Sequence, residues 1–321
     1  MKSKWPVILI VLLSAAVIIT VIIKEHTSTL PGRRPPNPFA YDIDQFRSVD
    51  KELIRWKEAR QVGLDTRNPR AIAYSDGKIY LAADNELQVI GSDWSRVLRR
   101  TLPAEPSCLA VAREGWIVAG IGDRLVILDN DGETVAESDS LEEESNITSV
   151  AILDDYIYAA DATRRRVLIF NRKLEQTGEF RGDSGVSEIH GFIVPGAHFS
   201  LAVNPEKELW ITNPGIHALQ NYTPSGRLRS YIQRASFGIE GFSGCCNPVH
   251  FTFLPDGRFV TSEKGIIRIK VMRESGETES VVAPSELFAG GTRAPAVAVD
   301  DNGNVLALDF DRNMIRIFEP I

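Results

Sequence analysis

The stretch that decides the fold lies near the C-terminal end, where residues 295–309 are PAVAVDDNGNVLALD and residues 313–318 are NMIRIF. It holds a short apolar run, an Asn-Gly turn, a second apolar run and, after another turn, a third. Runs this short, rich in Val, Ile and Leu and joined by tight turns, favour antiparallel strands over helices. The stretch therefore predicts three consecutive strands of one sheet.

The same strand, turn and strand pattern occurs six times along the chain. With the small residue at the centre of each first strand as origin, the copies are 37, 41, 51, 50 and 46 residues apart. This period is typical of propeller blades, and small residues suit the crowded axis where blades converge. The sequence therefore predicts an all-β fold, a six-bladed β-propeller. The six central residues are Ala73, Ala110, Ala151, Ala202, Thr252 and Ala298.

The sixth copy stops after its third strand, Met314 to Phe318, and so lacks an outer strand. The segment Trp56 to Val62 precedes the first copy and has no other partner. We expect residues 56–62 to supply the missing strand of a propeller that covers residues 55–321. Just before it, Asp42 to Ile54 predicts a short helix with Asp42 or Asp44 as its N-cap.

The sixth copy resembles an NHL repeat almost throughout, and the third copy, with Tyr156 to Asp161 and Arg166 to Phe170, is a second good match. Copies two and four are degenerate. The resemblance covers roughly residues 55–321 and implies the propeller fold. It implies no particular activity, because such propellers include scaffolds, sensors and a few enzymes.

The N-terminal segment differs from the rest in composition. Residues Val7 to Ile23 are apolar except for Ser14 and Thr20. With Trp5 and Pro6 they would form about 28 Å of helix, close to the ~30 Å of a hydrocarbon core. No small-x-small cleavage site follows, so residues 1–24 predict an uncleaved transmembrane signal-anchor, with a cleaved signal peptide as the alternative.

Residues 25–54 then form a spacer, Pro-rich at 30–38, ahead of the propeller. The basic residues flanking the apolar run lean towards an N-terminus inside the cell. We therefore expect a single-pass protein of the cell membrane with its propeller on the extracytoplasmic, periplasmic side.

Composition excludes several other classes. The 321 residues are 43% hydrophobic and 25% charged, as in globular proteins, and the net charge is -7. No long run of Lys and Arg is present and the net charge is negative, so nucleic acid is not an expected partner. Three cysteines cannot form a disulfide framework.

Two long connections account for the widest spacings between copies. They run from Arg181 to Ala197 and from Ala235 to Pro248. In a four-stranded antiparallel blade, the connection that enters the inner strand lies on the same face as the turn between the second and third strands. We therefore expect both connections on one face, which is where binding usually occurs on a rigid scaffold.

The second connection carries adjacent cysteines, Cys245 and Cys246, followed by Asn247 and, after Pro248 and Val249, by His250. A disulfide between neighbouring residues would be strained, because their Cα atoms lie only ~3.8 Å apart. The pair is a candidate redox element, metal ligand or ligand-stacking surface. The alternative is a tight turn whose cysteines simply pack.

Histidines gather near the same face: His190 and His198 flank the first connection, His250 opens the fifth inner strand, and His217 follows a turn. NHL-like propellers with lyase activity place a zinc on three axial histidines. Only His198 and His250 match that arrangement here, so the resemblance implies an incomplete site. These two are nevertheless the candidate ligands of a divalent metal, with polar loop residues as the alternative.

An acid or amide recurs at the end of the second strand, as Asp161, Asn213, Glu263 and Asp309. In NHL repeats the equivalent acid typically bonds to the backbone of an adjoining turn. A ring of such groups could instead hold calcium, which takes six to eight oxygens. Glu263 departs from the pattern because Lys264 follows it in the copy that carries the cysteine pair.

These features predict a membrane-anchored, exported propeller that binds a protein partner or small ligand on the face of the long connections. An accessory role in an envelope redox complex is one form of that function. The alternative is a metal-dependent lyase or hydrolase with zinc or calcium at the axial mouth; no catalytic residue is assigned. The expected binding residues are Cys245, Cys246, Asn247, His250, Glu263, Lys264, His190 and His198.

Overall fold

A computed structural model describes residues 5–28, 43–182 and 191–321. The chain divides into two units, Met1–Asp42 and Ile43–Ile321. The described part of the first unit is helix α1 (Trp5–Ser28). By length and hydropathy, no helical segment of the described residues qualifies as a membrane span, so the expected transmembrane helix is not found.

Within the described residues, the strands of the second unit form six four-stranded antiparallel sheets, which we call blades 1 to 6. Short apolar runs separated by tight turns explain why blades 1 to 5 follow the chain order from the inner to the outer strand. Blade 1 comprises β2 (Pro69–Ser75), β3 (Lys78–Ala83), β4 (Glu86–Ile90) and β5 (Arg96–Thr101); blade 2, β6 (Pro106–Val111), β7 (Ile117–Ile121), β8 (Arg124–Leu128) and β9 (Thr134–Glu137); blade 3, β10 (Ile147–Leu153), β11 (Tyr156–Asp161), β12 (Arg166–Asn171) and β13 (Gln176–Phe180). Blade 4 comprises β14 (Leu201–Val203), β15 (Leu209–Asn213), β16 (Ala218–Tyr222) and β17 (Leu228–Gln233); blade 5, β18 (His250–Phe253), β19 (Phe259–Glu263), β20 (Arg268–Met272) and β21 (Thr278–Ala283); blade 6, β22 (Ala296–Val299), β23 (Val305–Asp309), β24 (Met314–Pro320) and β1 (Trp56–Gly63).

Blade 6 takes its outer strand from the N-terminal end of the unit. Strand β1 pairs antiparallel with β24, from Trp56 opposite Pro320 to Gly63 opposite Met314. Arg316 Nε lies 2.7 Å from Glu58 Oε1 and joins the same two strands. This pairing covers an edge of blade 6 that would otherwise expose free backbone groups.

The core lies between neighbouring blades. Each innermost strand contacts the next, and β22 contacts β2, so the ring is closed. Apolar clusters fill the spaces between the sheets, for example Trp210 of blade 4 against Phe251 and Phe259 of blade 5. The six small central residues of the inner strands all line the axial channel, as expected for the crowded axis.

The segment before β1 differs from the single short helix expected over residues 42–54. Asp42 lies outside the described residues. From Asp44 onward the chain forms two short 3₁₀ helices, Asp44–Phe46 and Lys51–Leu53. The Asp50 carboxylate accepts a hydrogen bond from the Glu52 amide and starts a new turn there, which competes with a continuous helix.

Further 3₁₀ helices span Pro214–Ile216 and Ser285–Phe288.

Candidate functional site

The two long connections lie on one face of the propeller, which we call the entry face because the chain enters each inner strand there. The first is tied to the turn of blade 4, since the Gly215 amide donates to the Ile193 carbonyl at 2.8 Å. The second is tied to the turn of blade 5, since the Lys264 amide donates to Asn247 Oδ1 at 2.9 Å. The connections also approach each other: a Cβ built on Gly196 would lie 3.8 Å from His198 Cδ2 and 3.9 Å from Cys246 Sγ.

A buried ionic cluster holds the second connection in place. Glu263 Oε1 lies 2.9 Å from Arg268 Nε and 2.9 Å from Lys270 Nζ, and all three side chains are almost fully buried. Two cations against one carboxylate leave a positive excess, which backbone carbonyls of the connection offset. Lys270 Nζ donates to the Gly241 carbonyl at 2.6 Å, and Arg268 Nη2 donates to the Gly238 carbonyl at 2.6 Å.

The adjacent cysteines lie just beyond this anchored segment. Their Sγ atoms are 3.3 Å apart and both thiols are free, with Cys245 exposed and Cys246 buried. Burial raises the pKa of the Cys246 thiol, and Cys245 raises it further, whereas the nearby Lys264 ammonium acts in the opposite direction. Asn247 is fully buried, and its amide nitrogen donates to the Lys264 carbonyl at 3.0 Å.

A cavity of about 610 Å³ opens at the axis on this face. His198, His250 and Lys264 line it together with Arg70 and Arg293. Below it, an axial channel of about 340 Å³ is lined by the six inner strands. The two spaces share four lining residues, so the cavity is the mouth of the channel; the shared residues are Arg70, Ser107, Thr148 and His250.

Both histidines of the mouth favour the neutral form. Burial lowers the pKa of His250 to about 3, and His198 acts in the same direction. Burial also lowers the pKa of His198, and the charge of Lys264 adds to the effect. At neutral pH each imidazole therefore offers one N–H donor and one nitrogen acceptor without a charge.

The structure thus brings only some of the predicted residues together. His198, His250 and Lys264 share the mouth, and Cys246 lies beside Gly196 at its edge. Glu263 and Asn247 face inward and hold the connection, so neither is available to a ligand. His190 lies outside the described residues, and among those described no group of three or more His, Cys, Asp or Glu could hold a metal.

The recurring residues at the end of the second strand bond to neighbouring turns. Asp161 Oδ1 accepts from the Asn146 amide at 3.1 Å, and Asn213 Oδ1 accepts from the Ile193 amide at 2.8 Å. Glu263 Oε2 accepts from the Ser243 amide at 3.1 Å. These bonds favour the structural interpretation over a calcium ring.

Two cations of the mouth were missed by the sequence reasoning. Arg70 lies in the first inner strand, and Arg293 lies just before the sixth. Arg70 stands three residues before Ala73 and Arg293 five residues before Ala298, the central residues that were used for the repeat count. The available signal was therefore the residue type at the entry to each inner strand, compared across all six copies.

No family model matches the chain, and no curated protein matches it. Among solved structures, a streptogramin B lyase is 14% identical with a TM-score of 0.56, covering 83% of this chain and 98% of its own. Selenomethionine-substituted virginiamycin B lyase from Staphylococcus aureus is 17% identical with a TM-score of 0.54, covering 83% and 89%. A catalytically inactive form of that lyase with quinupristin is 18% identical with a TM-score of 0.55, covering 83% and 88%. Similarity at this identity shows the propeller fold alone, and the likeness to NHL repeats remains a resemblance.

Proposed function

We propose that this protein is a binding propeller that recognises a protein partner or small ligand at the axial mouth of its entry face. The observation that carries the proposal is a cavity of about 610 Å³ at the axis, lined by Ala197 and His198 at the end of the first connection and by Val249 and His250 just after the second. A cavity of this size, formed on a rigid scaffold and lined by a few polar groups, is suited to ligand recognition.

Cys245 and Cys246 carry the redox part of this proposal, an accessory role in an envelope redox complex. An exposed thiol with a second thiol 3.3 Å away can meet a partner by contact or by exchange with a disulfide of that partner. The buried cluster around Glu263 supports this role, because it fixes the backbone that presents the pair.

The test uses the full-length chain, recovered from cells by an affinity tag after reversible cross-linking. We expect Cys245→Ser with Cys246→Ser to keep the fold, judged by near-UV circular dichroism, and to lose the specifically recovered partner. Lys207→Ala, an exposed residue in the turn between β14 and β15, is the matched control and should recover the partner as well as the native chain does. Unchanged recovery by the double cysteine variant would defeat the contact and redox roles.

The proposal includes attachment of α1 to a cell membrane, with the propeller on the extracytoplasmic side. Large apolar side chains of α1 are exposed, among them Leu9, Ile18 and Ile22 at 54–59%. Burying such side chains in lipid is favourable. The full-length chain should sediment with membranes and resist alkaline extraction, and release by alkali would contradict the attachment.

A second candidate function is a metal-dependent lyase or hydrolase. The fold similarity to streptogramin B lyases and the two neutral imidazoles of the mouth favour it. A catalytic zinc needs three protein ligands, so His198 and His250 would require a third. Metal analysis of the purified chain separates the two functions: zinc or calcium near one equivalent supports the enzyme, and less than about a tenth of an equivalent contradicts it.

A further inference from the structure

The axial mouth is a positive region on an acidic protein. Its lining includes three cations, Arg70, Lys264 and Arg293, and one carboxylate, Glu105, whereas the whole chain carries a net charge of -7. A concave site lined mainly by one sign of charge concentrates the field and attracts ligands of the opposite sign. The mouth is therefore biased towards anions.

The three cations differ in what they already bind. Arg70 Nη2 lies 2.7 Å from Glu105 Oε2, and Arg293 Nε lies 3.1 Å from Asp311 Oδ1. Over the ranges that the structure describes, Lys264 has no carboxylate within 4.0 Å; its neighbour is the thiol of Cys246. Its ammonium is thus the cation of the mouth whose charge a ligand can neutralise without breaking an ion pair.

His198 and His250 add two imidazoles to the polar lining of the mouth. Both are neutral at pH 7, because burial lowers the pKa of each. A neutral imidazole can donate one hydrogen bond to an anionic oxygen, and it adds no competing carboxylate. The lining therefore combines one available ammonium with uncharged donors, which include the two imidazoles and the hydroxyl groups of Ser107, Thr148 and Thr292.

The channel beneath the mouth has a different character. Its exposed lining is polar for the larger part, with hydroxyl groups from Ser107, Thr148, Ser149 and Thr252 among small side chains of the inner strands. Arg70 is the charged residue shared with the mouth. The apolar wall nearest the cations is therefore that of the mouth itself, whose exposed lining is apolar for the larger part and includes Ile147, Val249 and Phe310.

We propose that the mouth binds a small organic anion, with its carboxylate or similar oxyanion on Lys264 and its apolar body against the apolar wall of the mouth. This inference rests on the proposed binding function and names the ligand class of the same site. An ammonium that leaves the Cys246 thiol for the ligand makes a charge-assisted hydrogen bond, which is stronger than its bond to sulfur.

The test compares benzoate with benzamide, its neutral analogue of nearly the same shape, by calorimetric titration of the full-length chain in detergent. We expect benzoate to bind saturably and benzamide to bind at least about tenfold more weakly, because a hydrogen bond to a charged group contributes about 1.5–3 kcal/mol. Lys264→Met should lose about the same factor for benzoate, whereas Lys264→Arg should keep most of the affinity. Lys207→Met, which changes the same residue type in the turn between β14 and β15, is the control and should bind benzoate unchanged.

Equal binding of benzoate and benzamide, or full benzoate affinity in Lys264→Met, would overturn the proposal. Inorganic phosphate that binds as tightly as benzoate would overturn its apolar part. The two proposals fail separately: loss of partner recovery in the cysteine variant without any benzoate binding refutes only the anion site. Benzoate binding with unchanged partner recovery refutes only the role of the cysteine pair.

Discussion

Blades 3 and 5 place an acid at the same position and use it differently. In blade 3, Asp161 pairs with Arg166 at 3.2 Å, and Arg166 also reaches Glu142 and Glu179 near the surface. In blade 5, Glu263 is the carboxylate that pairs directly with the buried cations Arg268 and Lys270, and the more distant Glu240 adds a weaker attraction. In blade 3, the cation is balanced by carboxylates. In blade 5, backbone carbonyls of the second long connection accept the remaining hydrogen bonds of the two cations.

The difference arises two residues along the third strand. Asp161 lies opposite Arg166 in β12, and Glu263 lies opposite Arg268 in β20. Two residues later, blade 3 has Leu168 where blade 5 has Lys270, and both are fully buried. A single change from an apolar to a cationic side chain thus supplies the donor that fixes Ile239 and Gly241. In blade 5 the buried Lys270 ammonium therefore holds the second long connection in place. Blade 3 has no buried cation at this position.

The largest expected effect separates the two acids directly. Glu263→Gln removes the carboxylate that pairs directly with the buried Arg268 and Lys270, leaves them only the weaker attraction of Glu240, and should lower the free energy of unfolding by about 3–5 kcal/mol. Asp161→Asn, the matched variant, should cost about 1–2 kcal/mol, because Arg166 keeps Glu142 and Glu179. Urea unfolding followed by tryptophan fluorescence measures both, and equal losses would break the comparison.

The second prediction concerns the inner strand of blade 5 and the dependence of the free energy of unfolding on pH. His250 opens β18, and burial lowers its pKa to about 3 from an ordinary value of 6.5. The unfolded chain takes up a proton below pH 6.5 while the folded chain does not, so stability is complete above that pH and falls towards pH 3. The slope should be at most about 1.4 kcal/mol per pH unit, or about 2 kcal/mol lost by pH 5.

His250→Asn should remove this contribution. The measurement is urea unfolding of the native chain and the variant at several values between pH 7 and pH 4.5. A variant that retains the full slope would show that another group carries the titration.

The smallest expected effect is local. Lys270→Met should resemble blade 3, because it keeps the volume and the Glu263 to Arg268 pair while it removes the two bonds to the connection. Amide exchange across residues 236–242 should accelerate by about tenfold, equivalent to about 1.4 kcal/mol, with little change in global stability. Hydrogen exchange of residues 191–197 is the internal control, and equal acceleration there would contradict a local role.

Much of the fold was predictable because each repeat is a local pattern of residues that are neighbours along the chain. The alternation of short apolar runs with Gly-containing turns predicted six blades, and the small central residues predicted a crowded axis. The helix expected before β1 was wrong in form, since Asp50 starts a separate turn. The transmembrane helix was not found, and anchorage to a membrane remains a prediction.

The site was predictable only in part. The loop lengths indicated the entry face, and the residue types indicated His198, His250 and Lys264. Glu263 and Asn247 were predicted as binding residues but face inward, because their bonding partners come from distant parts of the sequence. The same is true of Arg70 and Arg293, which meet Lys264 only when blades 1, 5 and 6 close into a ring.

The sequence by itself therefore determined the number of blades, the length of the connections and the adjacency of the two cysteines, since each depends on neighbours along the chain. Only the tertiary structure decided which cation of the mouth has no carboxylate partner, which cysteine is exposed and which histidines stay neutral. Those properties depend on burial and on contacts across blades, and residues far apart in the chain supply both.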